Sequence, residues 1–182
     1  MIACGRKTEA MVLNKAVRRR NRALNQILIV LLLLMAPGMA GAALRIGDIV
    51  PSINLAGVNG ATFKIPESLN GKVVVLHFWQ IGCTSCRLEM PAMDNLYNKY
   101  RGKGLEILAV NVGQRKETVK SFASDLGVSY PILIDVDGKS ASLYGVTDLP
   151  RTYLVDRSGI VRYRILGGAT PEMLKKLILS LF

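Results

Sequence analysis

Val73-Val74-Val75-Leu76-His77-Phe78-Trp79-Gln80-Ile81-Gly82-Cys83-Thr84-Ser85-Cys86 decides how this chain is read. Val73 to Trp79 is apolar except for His77, the pattern of a central strand covered on both faces. Two cysteines in C-x-x-C spacing follow, where the strand hands over to a helix. Such a pair can be half of a zinc site, a small structural disulfide or a redox dithiol. Its place after a strand and at a helix start favours the dithiol.

Working outward, Leu88, Met93, Leu96, Tyr97 and Tyr100 recur at helical spacing, so Thr84 to Tyr100 is expected to be a helix stopped by Arg101-Gly102-Lys103-Gly104. Leu105 to Val112 reads as a second buried strand, Gln114 to Leu126 as a helix ending at Gly127, and Ile132 to Ile134 as a short strand. A turn at Asp135-Val136-Asp137-Gly138 and one or two helical turns over Lys139 to Tyr144 come next. Thr152 to Val155 and Val161 to Leu166 flank Asp156-Arg157-Ser158-Gly159 as a hairpin. Pro171 to Phe182 closes as a helix, with Thr170 as its N-cap. Before the long strand, Val50 to Leu55 and Ala61 to Ile65 flank Asn59-Gly60, a strong hairpin signal. Strands alternating with helices, then a hairpin and a helix, give an α/β fold with a mixed central sheet.

The first 43 residues stand apart. Seven Lys/Arg against the single acid Glu9 precede the apolar run Ile27 to Met35 and the small-residue stretch Ala36 to Ala43. Basic region, short apolar run and Ala40-Gly41-Ala42 make a secretory signal peptide with cleavage after Ala42. The alternative is an uncleaved N-terminal membrane anchor, the apolar tail extending the span to the low edge of a crossing helix. Both export residues 44–182, the expected domain, and contact with a membrane is expected only through the N-terminal segment.

This division partitions the net charge of +11: +6 lies in residues 1–43 and +5 in residues 44–182, which hold 17 basic and 12 acidic residues scattered along the chain. A nucleic-acid partner is therefore not expected. Cys4 falls in the leader, so Cys83 and Cys86 are the domain's only cysteines. A chain of this length buries enough apolar surface without staples, and the pair is read as chemical rather than structural.

Gly71 to Trp79, then Cys83-x-x-Cys86-Arg87-x-Glu89-Met90-Pro91, Tyr144-Gly145-Val146 and Leu149 to Gly159, resemble the thioredoxin superfamily, and within it the exported TlpA/ResA-like thiol–disulfide oxidoreductases. The likeness covers residues 45–182. It implies a thioredoxin fold with an N-terminal β-hairpin extension and an inserted strand–helix segment at about Leu105 to Leu126. It also implies that Pro150 is a cis-proline beside the cysteines, that Trp79 packs beneath the site and that Glu89 matches a recurrent family acid one turn beyond Cys86. No cofactor beyond the Cys83–Cys86 disulfide is implied, and no metal.

Cys83 is expected to attack a substrate disulfide and Cys86 to resolve the mixed disulfide. His77 departs from the family, which carries an acid or an amide there. It reads either as a proton acceptor for Cys86 or as a neutral core histidine held by hydrogen bonds. Gly82 before the pair, Thr84-Ser85 within it and Arg151 after Pro150 depart as well. Relatives suggest a periplasmic reductase of specific disulfides, such as those of apocytochrome c or copper-site proteins, fed with electrons by a membrane thiol carrier. An oxidant or isomerase, or a copper(I) metallochaperone using the same two thiolates, remains the alternative. A peroxidase-like relative would need a Pro/Thr-rich cysteine context that is absent.

Overall fold

The computed structural model describes residues 43–69 and 71–182, with Gln26 alone from the preceding segment. The expected signal or anchor, its cleavage site and Cys4 lie outside the described residues. Seven strands form one mixed sheet: β1 (Ile53–Gly57), β2 (Thr62–Ile65), β3 (Val73–Trp79), β4 (Leu105–Val112), β5 (Ile132–Asp135), β6 (Arg151–Val155) and β7 (Val161–Leu166), in the spatial order β2-β1-β5-β4-β3-β6-β7. The helices are α1 (Thr84–Tyr100), α2 (Lys116–Leu126), α3 (Lys139–Leu143) and α4 (Pro171–Leu179). No helix among the described residues is long and apolar enough to cross a membrane.

Every residue of β3 is buried, because β4 runs parallel on one side and β6 antiparallel on the other while both faces are covered. Side chains alternate across a strand. Val73, Val75 and Trp79 pack with Met90, Met93 and Leu96 of α1, Val119 and Ala123 of α2, and Leu174 and Ile178 of α4. Val74, Leu76 and Phe78 face the other layer, with Tyr144, Tyr153, Ala141 of α3 and the N-terminal residues Leu44 and Val50. Each such aliphatic or aromatic side chain contributes about 1.5–3 kcal/mol by leaving water.

The Leu105–Leu126 segment is strand then helix, as expected, but β4 is the central strand of the seven. The sheet is carried outward from it by α2 with β5, and then by the β1–β2 hairpin, which pairs with β5 through Ala56 and Gly57. The buried stripe of α1 runs through Cys86, Glu89, Met90, Met93, Leu96 and Tyr100. Leu88 lies outside it and is exposed, since it falls two residues from Cys86 and so off that face. Helix α2 begins two residues later than its apolar pattern suggests, because Gln114 is engaged elsewhere. Thr170 caps α4 by accepting from Met173 N at 3.2 Å.

Candidate active site

Helix α1 starts directly from the loop that leaves β3. Cys83 is its N-cap, with extended backbone, and Cys86 sits one turn inside. The two Sγ atoms are bonded as a disulfide. Cys83 is half-buried, whereas Cys86 is 1% exposed and belongs to the apolar cluster of Trp79, Met90 and Met93. Cys86 N donates to Cys83 Sγ at 3.2 Å. In the reduced protein that amide and the helix N-terminus favour a thiolate at Cys83, the accessible sulfur.

The loop is held from the end of β4 and the segment that follows it. Gln114 Oε1 accepts from Ile81 N at 2.8 Å and from Asn111 Nδ2 at 2.9 Å, and Gln80 Nε2 donates to Val112 O at 2.9 Å. Gly82 takes φ 95°, a left-handed conformation that disfavours any larger residue there. No sequence signal marked Asn111 or Gln114, because the loop amide that Gln114 holds, Ile81 N, lies 33 residues away.

The Leu149–Pro150 peptide is cis, as the resemblance implies, and so is Ile65–Pro66. The β3–β6 register pairs Phe78 with Arg151, which sets Pro150 opposite the end of β3 where the dithiol loop begins. Pro150 O accepts from Gly167 N at 3.0 Å. Alternation turns Arg151 to the opposite face, with Tyr153. There it is buried, its Nη2 3.9 Å from the exposed Asp148 carboxylate and its Nε without a partner among the described residues.

His77 is fully buried and, by the same alternation, shares the α1 face with Trp79. Its Nδ1 lies 2.9 Å from Thr152 Oγ1, and its Nε2 has no partner among the described residues. Burial pulls its pKa down to about 4, so the ring is neutral at physiological pH. Trp79 is likewise fully buried and stacks on Phe122 at 5.5 Å, its Nε1 without a partner among the described residues. Glu89 reaches from α1 to the β7–α4 loop, where Oε1 accepts from Ala169 N at 2.7 Å and Oε2 has no partner among the described residues. Its burial raises the carboxyl pKa, and the Ala169 amide offsets part of that rise.

Cys83, Cys86, His77, Trp79, Glu89 and Pro150 thus gather around the end of β3 and the first turns of α1. A disulfide at a helix N-terminus beside a cis-proline, carried by such a sheet, defines a thioredoxin-fold thiol–disulfide oxidoreductase. Comparison with known proteins agrees. Residues 46–164 match the AhpC/TSA family. The chain is 36% identical over 168 residues to the thiol–disulfide oxidoreductase ResA of Geobacillus thermodenitrificans, covering 88% of this chain and 96% of that protein. It is 36% identical over 128 residues to ResA of Bacillus subtilis, covering 70% and 71%. A crystal structure of a Chlorobium tepidum protein assigned as the thiol:disulfide interchange protein DsbE superposes with a TM-score of 0.72 at 31% identity, covering 76% of this chain and 99% of that one. The chain belongs to the AhpC/TSA family and, within it, to the ResA-like thiol–disulfide oxidoreductases.

Proposed function

We propose that this oxidoreductase works as an extracytoplasmic reductase of specific protein disulfides, of the apocytochrome c or copper-site type. The carrying observation is the setting of Cys86. It is buried among Trp79, Met90 and Met93, on the face that also holds a neutral His77, and one turn from the carboxyl of Glu89. Strong oxidants in this fold owe their potential to a stabilised reduced form. Here the helix N-terminus stabilises a thiolate at Cys83 alone, while Cys86 sits in an apolar cluster with no buried cation on its face among the described residues, so a charge there is desolvated and the disulfide is favoured.

The Cys83 thiolate attacks one sulfur of the client disulfide, forming a mixed disulfide and releasing the client's other sulfur as a thiolate. Cys86 then loses its proton and attacks Cys83 Sγ, releasing the second client sulfur. The client ends with two thiols and the enzyme with the Cys83–Cys86 disulfide. Two electrons from a membrane thiol carrier restore the dithiol. The candidate acceptor for the Cys86 proton is His77, on the same face, whose Nε2 has no partner among the described residues; burial disfavours the imidazolium, so the ring holds that proton only transiently, as the Cys86 sulfur attacks. An N-terminal signal or anchor in residues 1–43 would deliver the domain to that compartment.

The test offers the reduced enzyme a disulfide-closed apocytochrome c peptide. Two peptide thiols are expected for each enzyme oxidised. Tight one-to-one copper(I) binding with no peptide reduction would overturn the reading and make the protein a metallochaperone.

A further inference from the structure

The basic residues of residues 44–182 are scattered in sequence, but the fold gathers five of them at the end of the sheet remote from Cys83. Lys72 precedes β3, Lys99, Arg101 and Lys103 occupy the end of α1 and the 3-10 turn after it, and Arg157 sits in the β6–β7 turn. Arg157 Nη1 donates to Gly71 O at 2.9 Å and Nη2 to Lys103 O at 3.4 Å, tying the three segments together. Aromatic rings lie between the charges. Lys99 and Lys103 are 5.6 and 5.8 Å from the Tyr100 ring, Arg101 is 5.8 Å from Tyr97, and Arg157 is 5.5 Å from Phe182, which itself packs 6.1 Å from Tyr100.

Glu106 meets this group and is held by Lys72 at 2.8 Å. Lys99, Arg101, Lys103 and Arg157 have no carboxylate partner among the described residues. A helix C-terminus favours cations in its last turn, which accounts for Lys99. It does not account for Arg157, which comes from a hairpin. Phe182, against Arg157, is 42% exposed.

We infer that this basic pole, with the exposed Phe182 ring beside it, is a docking surface for an anionic lipid membrane. It is assembled from a helix end, two turns and Phe182, with its cations on long stems over the buried Tyr100 ring and Phe182 exposed among them. That suits a diffuse negative plane, with apolar groups settling at headgroup level, better than a fixed pattern of carboxylates. Each Lys or Arg near such a surface raises partitioning about fivefold, so four raise it by a few hundredfold at low salt. The gain fades beyond a Debye length of about 10 Å at 0.1 M salt. Docked this way, β3 points from the membrane, and its seven residues hold Cys83 about 20 Å farther out, facing soluble clients. This contact is separate from any made by residues 1–43.

The test is lysine footprinting by acetylation and mass spectrometry, on the full chain mixed with vesicles of phosphatidylcholine alone or with 30% (about one lipid in three) phosphatidylglycerol. The seven Lys/Arg of residues 1–43 also favour the anionic vesicles, so the readout is the slowing of Lys99 and Lys103 relative to Lys120 on the same molecule. Lys99 and Lys103 should be acetylated at least about threefold more slowly with the anionic vesicles, with recovery in high salt, while Lys120 on α2 is unaffected. In the Arg101→Glu/Lys103→Glu variant, Lys99 should lose that protection and disulfide reduction should be unchanged. Equal rates in both vesicles, or equal slowing of Lys120, would overturn the inference.

Discussion

His77 Nδ1 lies 2.9 Å from Thr152 Oγ1 across the β3–β6 pair, 75 residues apart in sequence, and Nε2, on the face that α1 covers, has no partner among the described residues. One hydrogen bond therefore fixes the orientation of the domain's only histidine beneath the dithiol helix. Whether that ring serves chemistry or only the core can be separated by experiment.

Its burial has a stability consequence with a definite sign. The folded-state pKa of about 4 is below the ordinary 6.5, so between those values the unfolded chain binds a proton that the folded one refuses. This contribution is complete above pH 6.5 and drains as the pH falls toward 4, at up to about 1.4 kcal/mol per unit. Urea melts of wild type and His77→Asn across pH 7 to 4 should show a shallower decline in the variant. Parallel curves would mean that His77 is not held neutral.

The proton role has its own readout. In His77→Asn, resolution of the mixed disulfide should slow, and its pH profile should move toward that of an unassisted thiol. Thr152→Val, which removes the partner of Nδ1 while keeping the ring, should give a smaller change in the same direction. An unchanged profile in His77→Asn would remove the relay.

Attack by Cys83 predicts an asymmetry in trapping. Cys86→Ala should accumulate mixed disulfides with clients, detectable on non-reducing gels, whereas Cys83→Ala should accumulate few, since Cys86 is buried. Equal trapping would contradict the assignment.

Gln114 anchors the dithiol loop through Ile81 N and the Asn111 side chain. Gln114→Ala leaves both without that acceptor and should cost about 1–3 kcal/mol in chemical denaturation. Loop mobility should rise with it, read as faster hydrogen exchange at Ile81. A loss no greater than that of Lys120→Ala would show that the anchor is dispensable.

Glu89 and the β7–α4 loop make a coupled pair. A Cβ on Gly168 would stand 2.8 Å from Glu89 Oε1 and 3.3 Å from Ser85 Cβ. Gly168→Ala must therefore strain the Glu89–Ala169 bond and destabilise the protein by about 1–3 kcal/mol. In a Glu89→Ala background much of that penalty should vanish, giving a non-additive double-mutant cycle. Additive costs would separate Gly168 from Glu89.

The frame of the fold was legible from local pattern. The apolar run Val73–Trp79, the helical period from Thr84 to Tyr100, and Thr170-Pro171 at a helix start all lie within one element, and their bounds match. The cysteine pair was legible for the same reason. Thr152 under His77, Gln114 under Ile81 and the burial of Arg151 were not, because each depends on strands brought together from distant parts of the chain. The charge misled in the same way: Lys72, Lys103 and Arg157 are scattered in sequence and neighbours in space. Leu88 fits the helical period yet is exposed, since spacing alone does not say which side of a helix the sheet will cover.

The equilibrium potential of the Cys83–Cys86 couple against glutathione tests the direction of the reaction most directly. Potentials in this fold run from roughly −270 to −120 mV. With Cys86 buried in an apolar cluster on a face with no buried cation among the described residues, the couple should fall toward the reducing end, near the −270 mV limit. A potential near −120 mV would mean that the dithiol is the stabilised form, and would make this protein an oxidant of its clients rather than their reductant.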